Sequence, residues 1–267
     1  MFNENPQDSW KRKYGVDAPV VPAELAPFLT HRSVRRYSDE EVSDDILTGL
    51  VAAAQSAATS SNLQSWSLIS IADPDRRARI AELCDGQKQI VTAPVFFVFL
   101  ADLNRIHHFA NQAGVEPDGL DTTEMYTVAV VDASLAAERM VCAAEALGYG
   151  ICYIGALRNH PEEVKELLNL PLGTFGLFGL CIGRPLDGAR AEIKPKLLQD
   201  QVWFREQYQT ALDSSEYDAR MSEFFASQGM SNDEPWSAKS GARVNVSGLS
   251  GREEILAFLQ KQGLLKR

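Results

Sequence analysis

A run of six residues, His-Arg-Ser-Val-Arg-Arg at 31–36, gathers positive charge in a chain of 267 residues whose formal net charge is -10. Guanidinium groups hold phosphate oxygens through paired, charge-assisted hydrogen bonds, so clustered arginines beside a hydroxyl suit a bound phosphate. The same cluster also fits a carboxylate network on the protein's own surface, an acidic partner, or a basic face exposed to solvent. Residue types alone leave these four interpretations open.

Other sequence motifs for binding nucleotides or for hydrolysis are missing. Gly148-Tyr149-Gly150 approaches a dinucleotide-binding fingerprint, but it lacks the third glycine and joins a predicted helix to a strand, the reverse of the required order. The sequence has no Gly-Lys-Ser or Gly-Lys-Thr phosphate loop and no Gly-x-Ser-x-Gly elbow. With only four histidines, candidates for a hydrolytic triad are few. We therefore expect neither a Rossmann fold nor a hydrolase.

Composition narrows the class of protein further. An acidic chain lacks the broad cationic surface that nucleic-acid binding requires. No apolar run reaches the ~20 residues of a membrane helix, and the polar start lacks the apolar core of a signal peptide. We expect a cytoplasmic protein that binds neither nucleic acid nor membranes. The cysteines lack the spacing of a metal site, which predicts free thiols and no metal. They are Cys84, Cys142, Cys152 and Cys181.

Hydrophobic periodicity predicts the elements that position the basic run. Residues 1–22 are predicted to form a mobile arm, and 23–267 a single domain. A short helix over 23–30 leads into the run, and a helix capped by Ser43 follows it. Further helices are predicted over 74–84, 104–121 in part, 124–147, 161–168, 214–229 and 251–262. Strands are predicted over 66–71, 94–100, 151–157 and 175–182, and a loop over 230–241.

The predicted helix over 124–147 is apolar around nearly its whole circumference. A helix of this kind must be covered on all sides, either in a core or between subunits. Gly148 follows it as a C-terminal cap.

Several stretches, taken in order, resemble one known family. His-Arg-Ser-Val-Arg at 31–35 resembles the opening motif of the flavin-dependent nitroreductase superfamily. The chain is most similar to the group of the major oxygen-insensitive NADPH nitroreductase and flavin reductase P. The similarity runs from His31 to the C-terminus and rests on residues 59–64, 86–87, 132–137, 147–159, 177–180 and 194–196.

This resemblance implies an α+β fold of the nitroreductase type, with a central, mainly antiparallel sheet flanked by helices. It implies a homodimer with FMN at the interface and a C-terminal extension over about 199–267. By similarity, four residues of the basic run hold the flavin's pyrimidine edge and ribityl phosphate, two lysines add cations to the phosphate, and the others line the ribityl chain and ring. These residues are His31, Arg32, Ser33, Arg35, Ser60, Ser61, Leu63, Gln87, Tyr153, Ile154, Gly155, Ala156, Lys194 and Lys196. Arg36 receives no role.

The implied function is an FMN-dependent NAD(P)H oxidoreductase that reduces nitroaromatics, quinones or free flavin by a ping-pong scheme. The cofactor itself carries the hydride and the electrons, so no catalytic side chain is assigned. Arg158 is a candidate contact for the substrate or flavin, with a structural salt bridge as the alternative. A non-catalytic flavin carrier or sensor is a second hypothesis. A third is a flavin enzyme of the same fold with other chemistry, such as reductive dehalogenation.

The sequence departs from the family pattern at three places. Lys196 stands where arginine is more frequent, and Gly155-Ala156 replaces a pair of glycines. Asp233 and Glu234 occupy the loop in which close relatives carry cations for the 2′-phosphate of NADPH. Because carboxylates repel phosphate, the choice between NADPH and NADH stays open.

Overall fold

The computed structural model describes residues 5–19, 21–188, 191–230 and 234–267. Their contacts divide the chain into two compact units. We call residues 33–188 and 251–267 the sheet unit, and residues 5–32 and 191–250 the helical unit. Across the ranges that the structure describes, no helix is both long and apolar enough to cross a membrane.

The α-helices and strands are given in chain order. The helices are α1 (Pro6–Tyr14), α2 (Ala26–Leu29), α3 (Asp44–Gln55), α4 (Pro74–Leu83), α5 (Gln89–Thr92), α6 (Asn104–Gln112), α7 (Thr123–Ala146), α8 (Pro161–Leu168), α9 (Ser215–Ser227), α10 (Trp236–Arg243) and α11 (Ile255–Lys261). The strands are β1 (Trp66–Ser70), β2 (Val95–Asp102), β3 (Gly150–Ile154) and β4 (Thr174–Gly183).

The four strands form one antiparallel sheet in the order β1-β2-β4-β3. Every residue of β2 is buried, as a continuous apolar run predicts for a strand covered on both faces. Cys152 of β3 lies opposite Cys181 of β4, which fixes the register of this pair. The predicted α+β fold, with an antiparallel central sheet flanked by helices, is confirmed.

Helix α7 packs small residues into the core of the sheet unit. The Thr122 side chain accepts a hydrogen bond from the Met125 amide at 3.3 Å and begins the helix, and Gly148 follows its end with a φ of 83°. Of the two predicted kinds of cover, the core of the single chain supplies cover for only part of the circumference. Val131 and Leu135 are 48% and 46% exposed in the single chain.

The first helix overturns part of the prediction for residues 1–22. Helix α1 forms there because the Asn5 side chain accepts from the Gln7 amide at 3.0 Å and Pro6 suits the first helical position. Gly15 ends the helix in a left-handed conformation, with a φ of 72°. The sequence predicts a mobile arm without a helix here, because α1 is short and mostly polar. Its mobility stays a prediction.

Two other boundaries differ from the sequence prediction. Strand β3 ends at Ile154 rather than at residue 157, and Gly155–Arg158 form a 3-10 helix. Helix α10 lies partly inside the predicted loop over 230–241. The remaining predicted helices and strands are present within three residues of their expected ends, except that α11 begins four residues after its expected start, behind a 3-10 turn at Arg252–Glu254.

Candidate functional site

The segment that carries Ser33 and Arg35 lies along the first residues of β3. Ser33 forms a parallel bridge with Ile151, and the Val34 amide donates to the Ile151 carbonyl at 2.8 Å. Because side chains alternate along an extended segment, Val34 points into the core while Ser33 and Arg35 are exposed. Two of the four residues that the basic run is predicted to contribute to the flavin site therefore lie beside a strand of the central sheet.

Close packing at Gly150 explains why the sequence has a glycine pair that approaches a dinucleotide-binding fingerprint. A Cβ atom on Gly150 would lie 2.5 Å from Val34 Cγ2, closer than real contacts allow. The position needs glycine because another segment packs against its backbone. The pair therefore serves close packing of the basic segment on β3.

A second group lies on the face of β3 that carries Cys152. Burial raises the pKa of the Cys152 thiol, while the nearby Arg35 guanidinium and a hydrogen bond from Gln89 lower it to a smaller extent. The Gln89 side-chain amide donates to Gln87 Oε1 at 2.7 Å. The charge of Arg35 and the amide of Gln87 are thereby gathered at one strand.

The end of β3 opens into the 3-10 helix of Gly155–Arg158. The first N–H groups of a helix have no acceptor within it, which makes such a turn a supply of backbone donors. A Cβ on Gly155 would lie 3.7 Å from Arg158 Nη2, and Arg158 Nη1 donates to the Leu177 carbonyl. Arg158 therefore has a structural contact of its own beside the predicted one to substrate or flavin.

Tyr153 is exposed near the end of β3 and contacts α7. Its hydroxyl donates to Glu138 Oε2 at 3.3 Å. Desolvation, followed by the charge of Glu138, raises the pKa of this phenol well above its usual range. The hydroxyl is therefore protonated at any physiological pH.

The loop that carries Ser60, Ser61 and Leu63 is fixed by a carboxylate of α7. Asp132, fully buried, accepts from the Ser60 amide through Oδ1 and from the Ser65 amide through Oδ2, each at 3.0 Å. Both ends of the loop are tied to one side chain.

Helix α7 thus contacts two of the predicted segments in the sheet unit, the loop at Ser60 and the end of β3 at Tyr153. Asp132 holds the loop at Ser60, and Glu138 accepts from Tyr153. Six residues separate these two carboxylates, about 9 Å along a helix axis.

In the helical unit, Arg32 is buried and bound to the main chain. Its Nε donates to the Thr30 carbonyl at 3.2 Å and its Nη1 to the Ala191 carbonyl at 3.4 Å. His31 is half-buried. The arginine therefore has a structural role that sequence reasoning did not predict, alongside any contact to a phosphate.

Lys194 and Lys196 are exposed on a segment that α9 holds in place. The Pro195 carbonyl accepts from the Tyr217 hydroxyl at 3.0 Å, and the Lys196 carbonyl accepts from Arg220 Nη1 at 3.0 Å. Glu216 binds the same guanidinium through Nε at 2.7 Å and Nη2 at 3.0 Å. The two lysines alternate with buried residues, so both side chains project from a fixed backbone.

Sequence reasoning gave no role to Asp132, Glu138 or Gln89. The available signal for Asp132 was a carboxylate between small and apolar residues of α7. Such a carboxylate must find hydrogen-bond donors when it is buried. Glu234 is exposed, whereas Asp233 lies outside the described residues. Within the described part of the chain, no group of three or more His, Cys, Asp or Glu side chains is placed to hold a metal ion.

Comparisons with known proteins agree with the resemblance seen in the motifs. A model of the nitroreductase family matches residues 29–184, and a model of that family's C-terminal domain matches 194–267. An NADPH-dependent oxidoreductase from Staphylococcus aureus (strain USA300) is 36% identical over 246 residues, which cover 89% of this chain and 96% of that protein.

Solved structures lead to the same family. The NfrA1 nitroreductase from B. subtilis has a TM-score of 0.84 at 31% identity, covering 91% of this chain and 99% of that one. An NADPH:FMN oxidoreductase from Vibrio harveyi, solved in complex with NAD+, has a TM-score of 0.80 at 31% identity, with the same coverage of 91% and 99%. The chain belongs to the nitroreductase family.

Proposed function

We propose that this protein is an FMN-dependent NAD(P)H oxidoreductase that reduces nitroaromatics, quinones or free flavin. The observation that carries the proposal is the gathering of Ser33, Arg35 and Gln87 around β3, the strand that ends in the turn at Gly155. A cation, a hydroxyl, a side-chain amide and backbone donors are thus supplied by one compact unit of a chain in the nitroreductase family.

The donor set of the sheet unit fits FMN. The cofactor presents a phosphate dianion, a chain of hydroxyls and a polar ring edge. Arg35 offers an exposed guanidinium, and Ser33, Ser60 and Ser61 offer exposed hydroxyls. Gln87 accepts from Gln89 through Oε1, so the group that we propose it offers to the flavin is its side-chain NH2, a donor for an acceptor such as a ring carbonyl.

We assign binding and orientation, rather than proton transfer, to the protein's side chains. When bound, FMN supplies hydride acceptance from the nicotinamide donor and electron delivery to the second substrate. The segment Tyr153 to Ala156 supports the flavin ring, with the Tyr153 ring beside the turn. The loop of Ser60, Ser61 and Leu63 lines the ribityl chain and ring edge.

The proposal also includes four residues of the helical unit, whose roles follow from the resemblance. We propose that His31 and Arg32 contact the flavin, and that Lys194 and Lys196 bring cations to its phosphate. The support is that both lysines are exposed on a backbone fixed by Tyr217 and Arg220.

We propose that the electron donor is NADPH or NADH. The relatives named above are an NADPH-dependent oxidoreductase and an NADPH:FMN oxidoreductase. This chain differs from the family pattern in its acidic loop, where Glu234 is exposed. A carboxylate at that position disfavours the extra phosphate of NADPH.

The proposal is tested with the purified full-length protein loaded with FMN under argon. We expect the visible absorption band of the bound flavin to bleach when NADPH or NADH is added. The band should return when a nitroaromatic or a quinone follows. Bleaching rates for the two donors give their order of preference.

Apoprotein mixed with each donor and acceptor is the control, because direct reaction between them must be subtracted. A protein that binds FMN but bleaches with neither donor contradicts the oxidoreductase proposal and favours a flavin carrier. A protein that does not bind FMN contradicts the proposal at its first step.

A further inference from the structure

The loop between α3 and β1 does not hold its shape by local bonds alone. Ser61, Asn62 and Gln64 adopt left-handed backbone conformations, with φ of 48°, 58° and 53°. Residues other than glycine rarely occupy this region, and they persist there only when surrounding contacts enforce it. A 2.9 Å hydrogen bond from the Leu63 amide to the Ser60 carbonyl closes one turn within the loop.

Asp132 supplies a restraint from outside the loop. It lies 72 residues from Ser60 and 67 from Ser65, and it accepts one backbone hydrogen bond from each, at 3.0 Å. Its side chain has no exposed surface. A buried carboxylate is costly unless donors satisfy it, so the loop and the carboxylate stabilise each other.

Only a carboxylate can form this pair of bonds without rotation or loss. Both Asp132 oxygens accept, whereas the amide of an asparagine has one acceptor and one donor. In an asparagine variant the side-chain NH2 would face a backbone N–H, and one of the two bonds would be lost.

We infer that Asp132 is a positioning residue for the flavin: it holds the Ser60–Ser65 loop in its left-handed form before the cofactor binds. The inference rests on the proposed function, in which this loop lines the ribityl chain. A preformed loop lowers the ordering cost of binding, so Asp132 acts on FMN affinity without touching the cofactor.

The test compares two variants that weaken the contact between Asp132 and the loop from opposite sides. Asp132→Asn removes an acceptor. Ser60→Pro removes the donor N–H, and Thr59 has the extended backbone, φ -132° and ψ 152°, that suits a residue before proline. Ser60→Ala measures the separate contribution of the hydroxyl.

Asp102→Asn is the matched control. Asp102 is also a buried carboxylate of the sheet unit, and it accepts from the Arg105 amide at 3.0 Å and from the Ser67 hydroxyl. Both partners lie outside the loop, although the Arg105 side chain donates to the Gln64 carbonyl within it, so the control also reports any loop disturbance that reaches the loop through Arg105. A purely structural loss should therefore appear in this control as well.

Two readouts are measured for each protein: the FMN dissociation constant by flavin fluorescence, and amide hydrogen exchange of residues 59–66 in the apoprotein. We expect Asp132→Asn to weaken FMN binding by about tenfold or more relative to the parent. We expect Ser60→Pro to weaken it by about as much relative to Ser60→Ala. This factor is the effect of one charge-assisted hydrogen bond. Their effects should not add in the double variant, because with the Ser60 N–H gone the single oxygen of the asparagine can still accept from the Ser65 amide. Exchange over 59–66 should be faster in Asp132→Asn and unchanged in Asp102→Asn.

Parent-like FMN affinity in Asp132→Asn overturns the inference, as does an equal loss of affinity in Asp102→Asn. If the parent protein binds no FMN, the proposed function fails and the exchange readout alone decides the loop restraint. Faster exchange confined to Asp132→Asn then supports the restraint, and unchanged exchange overturns it.

Discussion

At the scale of the residue, Gly150 shows how one missing side chain positions charged groups. Val34 Cγ2 occupies the space of a Cβ atom on Gly150, and this contact brings Ser33 and Arg35 to β3. We expect Gly150→Ala to destabilise the protein by about 1–3 kcal/mol, the usual cost of overpacking. The free energy of unfolding from urea denaturation measures the effect.

Two further variants make that prediction specific. In a Val34→Ala background, Gly150→Ala should cost less, because the close contacts with Cγ2 and Cγ1 of Val34 are gone and only the contact with Cβ of residue 34, at 2.7 Å, remains. Gly49→Ala, in the middle of α3 with no atom near its added Cβ, should instead stabilise the protein by about 0.5–1 kcal/mol. Equal costs of Gly150→Ala in both backgrounds would show that the Val34 methyl groups are not the cause.

Residue types predicted some site positions and not others, for a physical reason. The basic run stood out because its charge opposes that of the chain, and the structure places Ser33 and Arg35 at exposed positions of a segment beside β3. Asp132 makes its contacts with residues 67 and 72 positions away, and no local pattern encodes such a distance. Left-handed conformations at Ser61 and Gln64 were equally hidden, because neither residue is a glycine.

At the scale of the element, α10 shows where periodicity fails. Its first residues have no local side-chain cap, since Pro235 precedes it. The cap comes from α9, where Asp218 Oδ1 accepts from the Ser237 amide at 2.8 Å and Oδ2 from the Ser237 hydroxyl at 2.7 Å. Helix α3, which has a local cap at Ser43, was predicted correctly. A cap supplied by another helix could not be predicted from the segment alone.

The same cap gives a pH dependence to the helical unit. Hydrogen bonds from Ser237, from its side chain first, hold the pKa of Asp218 below its usual value. A lowered pKa contributes stability that is complete above the unfolded-state pKa of about 4 and is lost as the pH falls through the lower folded-state value. We therefore expect Asp218→Asn to lose less stability than the parent between about pH 5 and pH 2.

Urea denaturation at a series of pH values measures this difference. Ser237→Ala keeps the amide donor and loses the hydroxyl, so its pH dependence should lie between those of the parent and Asp218→Asn. Parallel curves for the parent and Asp218→Asn would contradict the assigned cause. The expected difference is one of slope, since all other carboxyl groups are shared by the three proteins.

At the scale of the whole molecule, the exposed face of α7 calls for a partner. Val131 and Leu135 lie one helical turn apart and are about half exposed, at 48% and 46%, whereas another face of the same helix is packed in the core. Resemblance to the nitroreductase superfamily implies a homodimer with the flavin at its interface. We propose that this face of α7 meets a second copy of the chain, which would cover the apolar circumference seen in the sequence.

Leu135→Glu tests this assignment, because a carboxylate buried at a two-fold interface would face its own copy across the axis or lie unpaired in an apolar surface. We expect the parent to have the mass of a dimer in multi-angle light scattering and the variant to shift toward the monomer at micromolar concentration. Weaker FMN retention should accompany the shift, since the flavin is proposed to contact both subunits.

Val115→Glu is the matched control. Val115 is 58% exposed in the same unit but lies outside α7, so the dimer content and the flavin content of this variant should match those of the parent. A monomeric parent would contradict the dimer itself, whereas a dimeric Leu135→Glu variant would move the interface away from α7.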